Sequence, residues 1–372
     1  MQKKGVVFFI FLLFLTMFLS ISFLSAADLF VPTMEMITRG YVDASSFVLD
    51  TRGTFELAVA GGYKIGGNIM VSIDSDDLAS LSSPPTLSFK SAHVIARNLF
   101  TLPLNLSYFV GEYETFGSGD VFFKQFGTVP VASKYRGYIY FPEGIRYDGI
   151  YNPTGTGIEI ETSEDLFPNL QLAGYIYQDS YLGKGYYSSD LRTILNLELF
   201  KLEGFVGYSF PVARYGYFRG GVLLYYNTGI GGEFLMQVGI PLWDPSTDPL
   251  SINLFYFFFE PRVNFNIFSI IITLFWHPSY YQQQTTGELG NADINIDFRA
   301  GDLVKNPYAG GLETTLKFQT ADTATEQISL SVSPYFRAVT TGIIWTFKLN
   351  LNLVPFNVSE MFEGFIGVKA EF

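Results

Sequence analysis

Cysteine is absent from all 372 residues, and histidine occurs only twice, as His93 and His277. Without thiols there is no disulfide framework, no thiolate nucleophile and no Cys-containing zinc site, so the fold must be stable unaided. Neither histidine stands in a His-Glu-x-x-His arrangement, and no Gly-x-Ser-x-Gly elbow occurs. The expectation is a protein without catalysis, cofactor or metal. Charge is scarce too, at 16% of residues, and it leans acidic, with 23 Lys and Arg against 35 Asp and Glu. A clustered basic surface is what nucleic acid requires, so a nucleic-acid partner is excluded. Long hydrophobic runs are also missing beyond the first thirty residues. The best candidate, Ile267 to Trp276, is about half the roughly 20 residues that a spanning helix needs.

The N-terminus is the exception. Met1-Gln2-Lys3-Lys4 precedes an uncharged stretch from Val6 to Leu24, then Ser25-Ala26-Ala27 and Asp28. A basic start, an apolar stretch and small residues at the exit are what signal peptidase reads. Residues 1–27 are therefore expected to be a cleaved signal peptide, with an uncleaved anchor as the alternative, and 28–372 a single domain. Cleavage would remove two lysines and no acid, moving the net charge from −12 to −14.

What is abundant is aromatic and apolar: 38 Phe, 24 Tyr, 36 Gly, and 48% hydrophobic residues overall. Their period is two. From Ile343, the residues Ile343, Trp345, Phe347, Leu349, Leu351 and Leu353 alternate with Ile344, Thr346, Lys348, Asn350 and Asn352. Successive strand side chains point to opposite faces, so such a segment has one lipid-like and one wet face. The same division recurs at 102–108, 191–199, 293–299, 312–318 and 328–333, with no linker or composition break between them. Unpaired backbone groups are not tolerated in hydrocarbon, so a sheet can live there only when closed on itself. The expected fold is all-β, a closed antiparallel transmembrane barrel of roughly 16–18 strands, with 20 as the upper count. Tight turns are expected at Tyr63–Gly66, Asn227–Gly229, Glu260–Arg262 and Val339–Thr341, and longer loops at 74–85, 179–190, 243–249 and 278–291. A further strand near 121–126 would keep short and long connections on alternate ends.

At the C-terminus, Phe362, Ile366, Val368, Ala370 and Phe372 share one face and Glu363, Lys369 and Glu371 the other. This segment resembles the last strand of bacterial outer-membrane proteins, which ends in an aromatic residue preceded by apolar residues at alternate positions. The resemblance implies an outer-membrane location, recognition by the barrel-assembly machinery and closure against the first strand. Size and loop pattern are similar to porins. The long-chain fatty-acid transporter family carries an Asn-Pro-Ala motif after its signal, and that motif is missing here.

In a porin the inward side chains set the size and field of the aqueous path. The candidates are Glu159, Glu161, Arg192, Glu198, Asp293, Asp297, Arg299, Glu313, Lys317, Lys348, Glu363 and Lys369, of both signs with a modest acidic excess. They predict passive diffusion of small hydrophilic solutes, neutral or weakly cationic, although such charges also pair across neighbouring strands. One region breaks the alternation: 251–276 is apolar on both faces. An inward-folded loop packed there, a contact with another copy of the chain, or an apolar cargo would each explain it. Phe116–Phe126 is the candidate loop. A carrier of hydrophobic compounds and a closed barrel with surface-binding loops remain as alternatives. The expected partners are outer-membrane lipid, the assembly machinery and small solutes, with self-association open.

Overall fold

The structure is a computed structural model that describes residues 28–43, 46–75, 78, 84–99, 102–116, 149–163, 165–211, 216–276, 292–301, 306–318, 328–358 and 361–371. The 1–27 segment, the 121–126 strand and Phe372 therefore lie outside the described residues.

Among the described residues nineteen strands follow one another: β1 (Asp28–Phe30), β2 (Thr33–Asp43), β3 (Ser46–Gly61), β4 (Ile65–Ser75), β5 (Thr86–Ala96), β6 (Leu104–Glu112), β7 (Thr154–Thr162), β8 (Leu170–Asp179), β9 (Tyr186–Asn196) and β10 (Phe200–Pro211). The series continues with β11 (Tyr217–Asn227), β12 (Gly232–Trp243), β13 (Tyr256–Phe265), β14 (Phe268–Trp276), β15 (Ala292–Ala300), β16 (Tyr308–Phe318), β17 (Ile328–Thr340), β18 (Ile343–Val354) and β19 (Phe362–Glu371). From β2 onwards each strand pairs antiparallel with the next, and β19 closes the circle on β2 through Glu363↔Tyr41 to Glu371↔Thr33. β1 and β2 lie along the same edge of β3, separated by Val31-Pro32, so the barrel has 18 strand positions. Among the described residues no helix is long and apolar enough to cross a membrane.

The connections sort by length. At one end they are 62–64, 97–103, 163–169, 197–199, 228–231, 266–267, 301–307 and 341–342. At the other they run from 44–45 up to 113–153 and are longer on the whole. Short turns mark the periplasmic end of such barrels and longer loops the outside. The described strands keep this alternation.

Side chains follow the period. On β7, Ile158 and Ile160 are exposed outward while Glu159 is buried inward; on β18, Trp345, Phe347 and Leu349 are exposed while Thr346, Lys348 and Asn350 are buried. Rings gather at both ends of the outer face. Phe200, Tyr226, Phe234 and Phe259 form a chain with centroids 4.5–6.1 Å apart near the periplasmic end. Tyr187, Phe210, Tyr208, Phe218 and Trp243 do the same near the other, at 4.9–6.1 Å. Phe200 and Phe210 are separated by ten residues of one strand. At about 3.3 Å per residue and a tilt of about 40° that spans roughly 25 Å, the height of the apolar band of an outer-membrane barrel.

Two expectations need correcting. Glu260-Pro261-Arg262 is no turn; it lies within β13, and the turn is Asn266-Ile267. Proline lacks an N–H, and the β13–β14 ladder skips from Phe259↔Leu274 to Arg262↔Ile271 at this point. The 179–190 loop is shorter than expected, because β9 begins at Tyr186.

Candidate functional site

The described roots of the connection between β6 and β7 turn into the barrel. Both roots, 113–116 and 149–151, pack on the inward faces of β6–β12, and they pair with each other through Phe116↔Tyr151. Phe116 N–H donates to the Tyr151 carbonyl at 2.7 Å, and Ile150 N–H to the Phe116 carbonyl at 2.8 Å. Phe116 is fully buried, its ring 5.1 Å from those of both Tyr175 and Phe205. Ile150 rests on Gly221 and Gly239, partners across β11 and β12, where a Cβ would come within 2.8 and 3.2 Å of its Cδ1.

Two arginines clasp these roots. Arg192 on β9 donates from Nε to Glu203 at 2.8 Å and from Nη1 to Glu114 at 2.6 Å, and its guanidinium lies 5.1 Å from the Phe116 ring centroid. Tyr175 donates to the same Glu114 oxygen at 3.0 Å. Arg219 on β11 holds Asp190 with Nε at 2.6 Å and Nη2 at 2.7 Å, and covers the Tyr151 ring at 4.2 Å. Asp190 and Arg219 are not on neighbouring strands. Both are partners of Gly207 on the intervening β10, and its missing side chain lets them meet above it. The Tyr151 hydroxyl donates to Asp179 at 3.0 Å, and Tyr113 stacks on Phe109 at 4.4 Å while donating to Glu159 at 2.6 Å. Tyr113 and Tyr151 belong to the inward loop rather than to a spanning strand. Burial above all holds both phenols above their usual range, with the Glu159 and Glu114 carboxylates adding to it at Tyr113. Both therefore stay protonated hydrogen-bond donors.

Of the expected lumen residues, Glu159, Arg192, Asp293, Asp297, Arg299, Glu313, Lys348 and Glu363 are buried on the inward face. Glu161 accepts from Gln171 on the same face, and Lys317 and Lys369 are half-buried opposite Asp293 and Glu35. Glu198 departs from the pattern: β9 ends at Asn196, and Glu198 is exposed in the 197–199 turn. Many of the others pair: Lys348 with Glu313 at 2.6 Å, Arg299 with Asp297 at 2.8 Å, Arg39 with Glu363. Phe362 and Ile366 are exposed outward; Val368 and Ala370 share their face, with Ala370 fully buried.

The lumen set expected from the sequence includes Arg192 and Glu159 but not Glu114, Asp190, Glu203, Arg219, Tyr113 or Tyr151. Alternation is a signal for Asp190, Glu203 and Arg219, and Phe116 opens the candidate loop 116–126; Tyr113, Glu114 and Tyr151 carry none. The apolar inward face of 251–276 is accounted for by packing. Tyr256, Phe258, Ile271 and Phe275 join Phe116 and Ile150 in one buried cluster.

A closed sheet with an apolar outer face and two ring girdles has one setting that satisfies its surface. The chain is an outer-membrane β-barrel. No protein-family model matches it, and no characterised protein matches it in sequence. Among solved structures it is similar to Wzi of Escherichia coli, described as an outer-membrane, carbohydrate-binding β-barrel involved in group 1 capsule assembly. That likeness has 10% identity, 93% of this chain, 85% of that one and a TM-score of 0.54. A substituted porin of Rhodopseudomonas blastica is similar at 8% identity, 93% and 100% coverage and a TM-score of 0.48. OprB of Pseudomonas putida is similar at 7%, 92% of each chain and 0.41. At these identities the likeness shows the barrel fold alone.

Proposed function

We propose that the barrel is a passive channel for small hydrophilic solutes with a weak preference for cations. The observation that carries this reading is the composition of the inward face beside the loop roots. Glu159, Glu161, Asp179, Asp190 and Glu203 stand there against Arg192 and Arg219, and Glu114 is added from the loop. Wall carboxylates in excess of wall cations raise the local concentration of cations and lower that of anions. The loop roots take up part of the cross-section on this side, which brings a passing solute towards the half-exposed Glu114. A carrier for apolar cargo loses its supporting observation, because the inward apolar side chains of β13 and β14 are buried in the cluster with Phe116 and Ile150.

Planar-bilayer recording tests the proposal. Stable conductance steps and a reversal potential of cation-selective sign in a salt gradient are expected, with that preference reduced by Glu114→Gln and Glu161→Gln. No conductance, or clear anion preference, would sink the reading.

A further inference from the structure

The periplasmic turns carry an uncommon load. Six of them, one after another around the rim from 62–64 to 266–267, expose a large apolar side chain: Tyr63, Leu102, Phe167, Leu199, Ile230 and Ile267. Ile230 and Tyr63 are 92% and 87% exposed. A tight turn standing in water needs no such residue, and polar and glycine residues serve it better. The 341–342 turn, built from Thr341 and Gly342, follows that ordinary rule.

In the two most exposed tips, backbone groups also find partners within the chain. In the 228–231 turn, Thr228 Oγ1 donates to the Gly232 carbonyl at 2.8 Å and accepts from the N–H groups of Gly232 at 3.0 Å and Ile230 at 3.4 Å. The Gly229 N–H donates to Asn227 Oδ1 at 2.7 Å. Around the 62–64 turn, Arg97 donates through Nη1 to the Tyr63 carbonyl at 2.7 Å and through its own N–H to the Lys64 carbonyl at 2.8 Å. Internal partners for N–H and C=O are what a backbone needs where water is scarce. The tips are also continuous with the lipid-facing surface: Leu199 is adjacent to Phe200, and Asn227 to Tyr226, both in the periplasmic ring girdle.

We infer that the periplasmic rim from 62–64 to 267 is seated in the inner leaflet of the membrane, with its apolar tips among the lipids rather than in periplasmic water. The partner of this surface is a lipid interface. Burial of apolar area there, at about 25 cal/mol per Å², fixes the depth of the barrel on that side.

The absence of cysteine makes the test direct. Ile230→Cys and Thr341→Cys, each labelled with an environment-sensitive fluorophore, are compared in phosphatidylethanolamine–phosphatidylglycerol vesicles with iodide on both sides; Tyr63→Cys serves as a second probe if Ile230→Cys does not fold. The label at 230, or at 63, is expected to emit further to the blue, to be quenched more by lipids brominated on their acyl chains and to be quenched less by iodide than the label at 341. Bromolipid quenching no greater than at 341 overturns the inference. The tips would then stand in water, where a periplasmic protein could reach them.

Discussion

Gly207 shows how much one residue decides inside a barrel. A Cβ there would lie 1.7 Å from Asp190 Oδ1 and 2.7 Å from Arg219 Nε, and the two charged side chains are themselves fully buried. Gly207→Ala must therefore displace at least one of the two. Removing a partner from a buried ion pair costs about 3–5 kcal/mol, which bounds the effect from above, so a drop in the denaturant midpoint is expected, with Gly204→Ala as the control because open space surrounds its Cβ position. An unchanged midpoint for Gly207→Ala would show that Asp190 and Arg219 find each other another way. At this scale the sequence was legible in one respect. Alternation identifies Arg192, Glu159 and Asp297 as inward, because facing depends only on the parity of position along a strand. It does not identify partners. Arg192 reaches Glu203 across one strand boundary and Glu114 on the loop root, and only the inward turn of that root brings the latter within reach.

At the scale of elements, the β6–β7 connection and the wall it rests on form one packed unit. Ile150 fits the dimple left by Gly221 and Gly239, so Gly221→Ala overpacks it, with a cost of about 1–3 kcal/mol. Ile150→Ala alone opens a cavity. Combining the two should recover part of the loss, a coupling readable in a double-mutant cycle; strict additivity would mean that the loop root does not sit there. Strand existence was readable almost everywhere, since lipid on one side and polar groups on the other impose a strict period. Boundaries were less so. Leu197 and Leu199 continue the alternation of β9 beyond its end at Asn196, which drew Glu198 into the lumen set although it belongs to a turn. Pro261 reads as a turn residue because proline usually breaks a ladder, yet the pairing steps over it and resumes at Arg262.

For the whole molecule, the expected cation preference is a property of the summed field rather than of any one carboxylate. Raising the salt from 0.1 M to 1 M shortens the screening length from about 10 Å to about 3 Å. The preference should then fade towards that of free ions, measured as a reversal potential per unit gradient. Selectivity that survives 1 M salt would point to direct coordination at a narrow point instead.

The sequence alone determined the class: period two, an apolar outer face and aromatic excess leave a closed sheet in the outer membrane, because hydrocarbon forbids open strand edges. Within a strand it also determined which side chains face inward, though not where the strand ends, as Glu198 shows. Only the tertiary structure decided the 18 positions, the meeting of Asp190 and Arg219 over Gly207, and the inward turn of 113–116 and 149–151. Strand number and loop path depend on register and on contacts between residues far apart in the chain, and a local pattern that repeats every two residues carries no record of either.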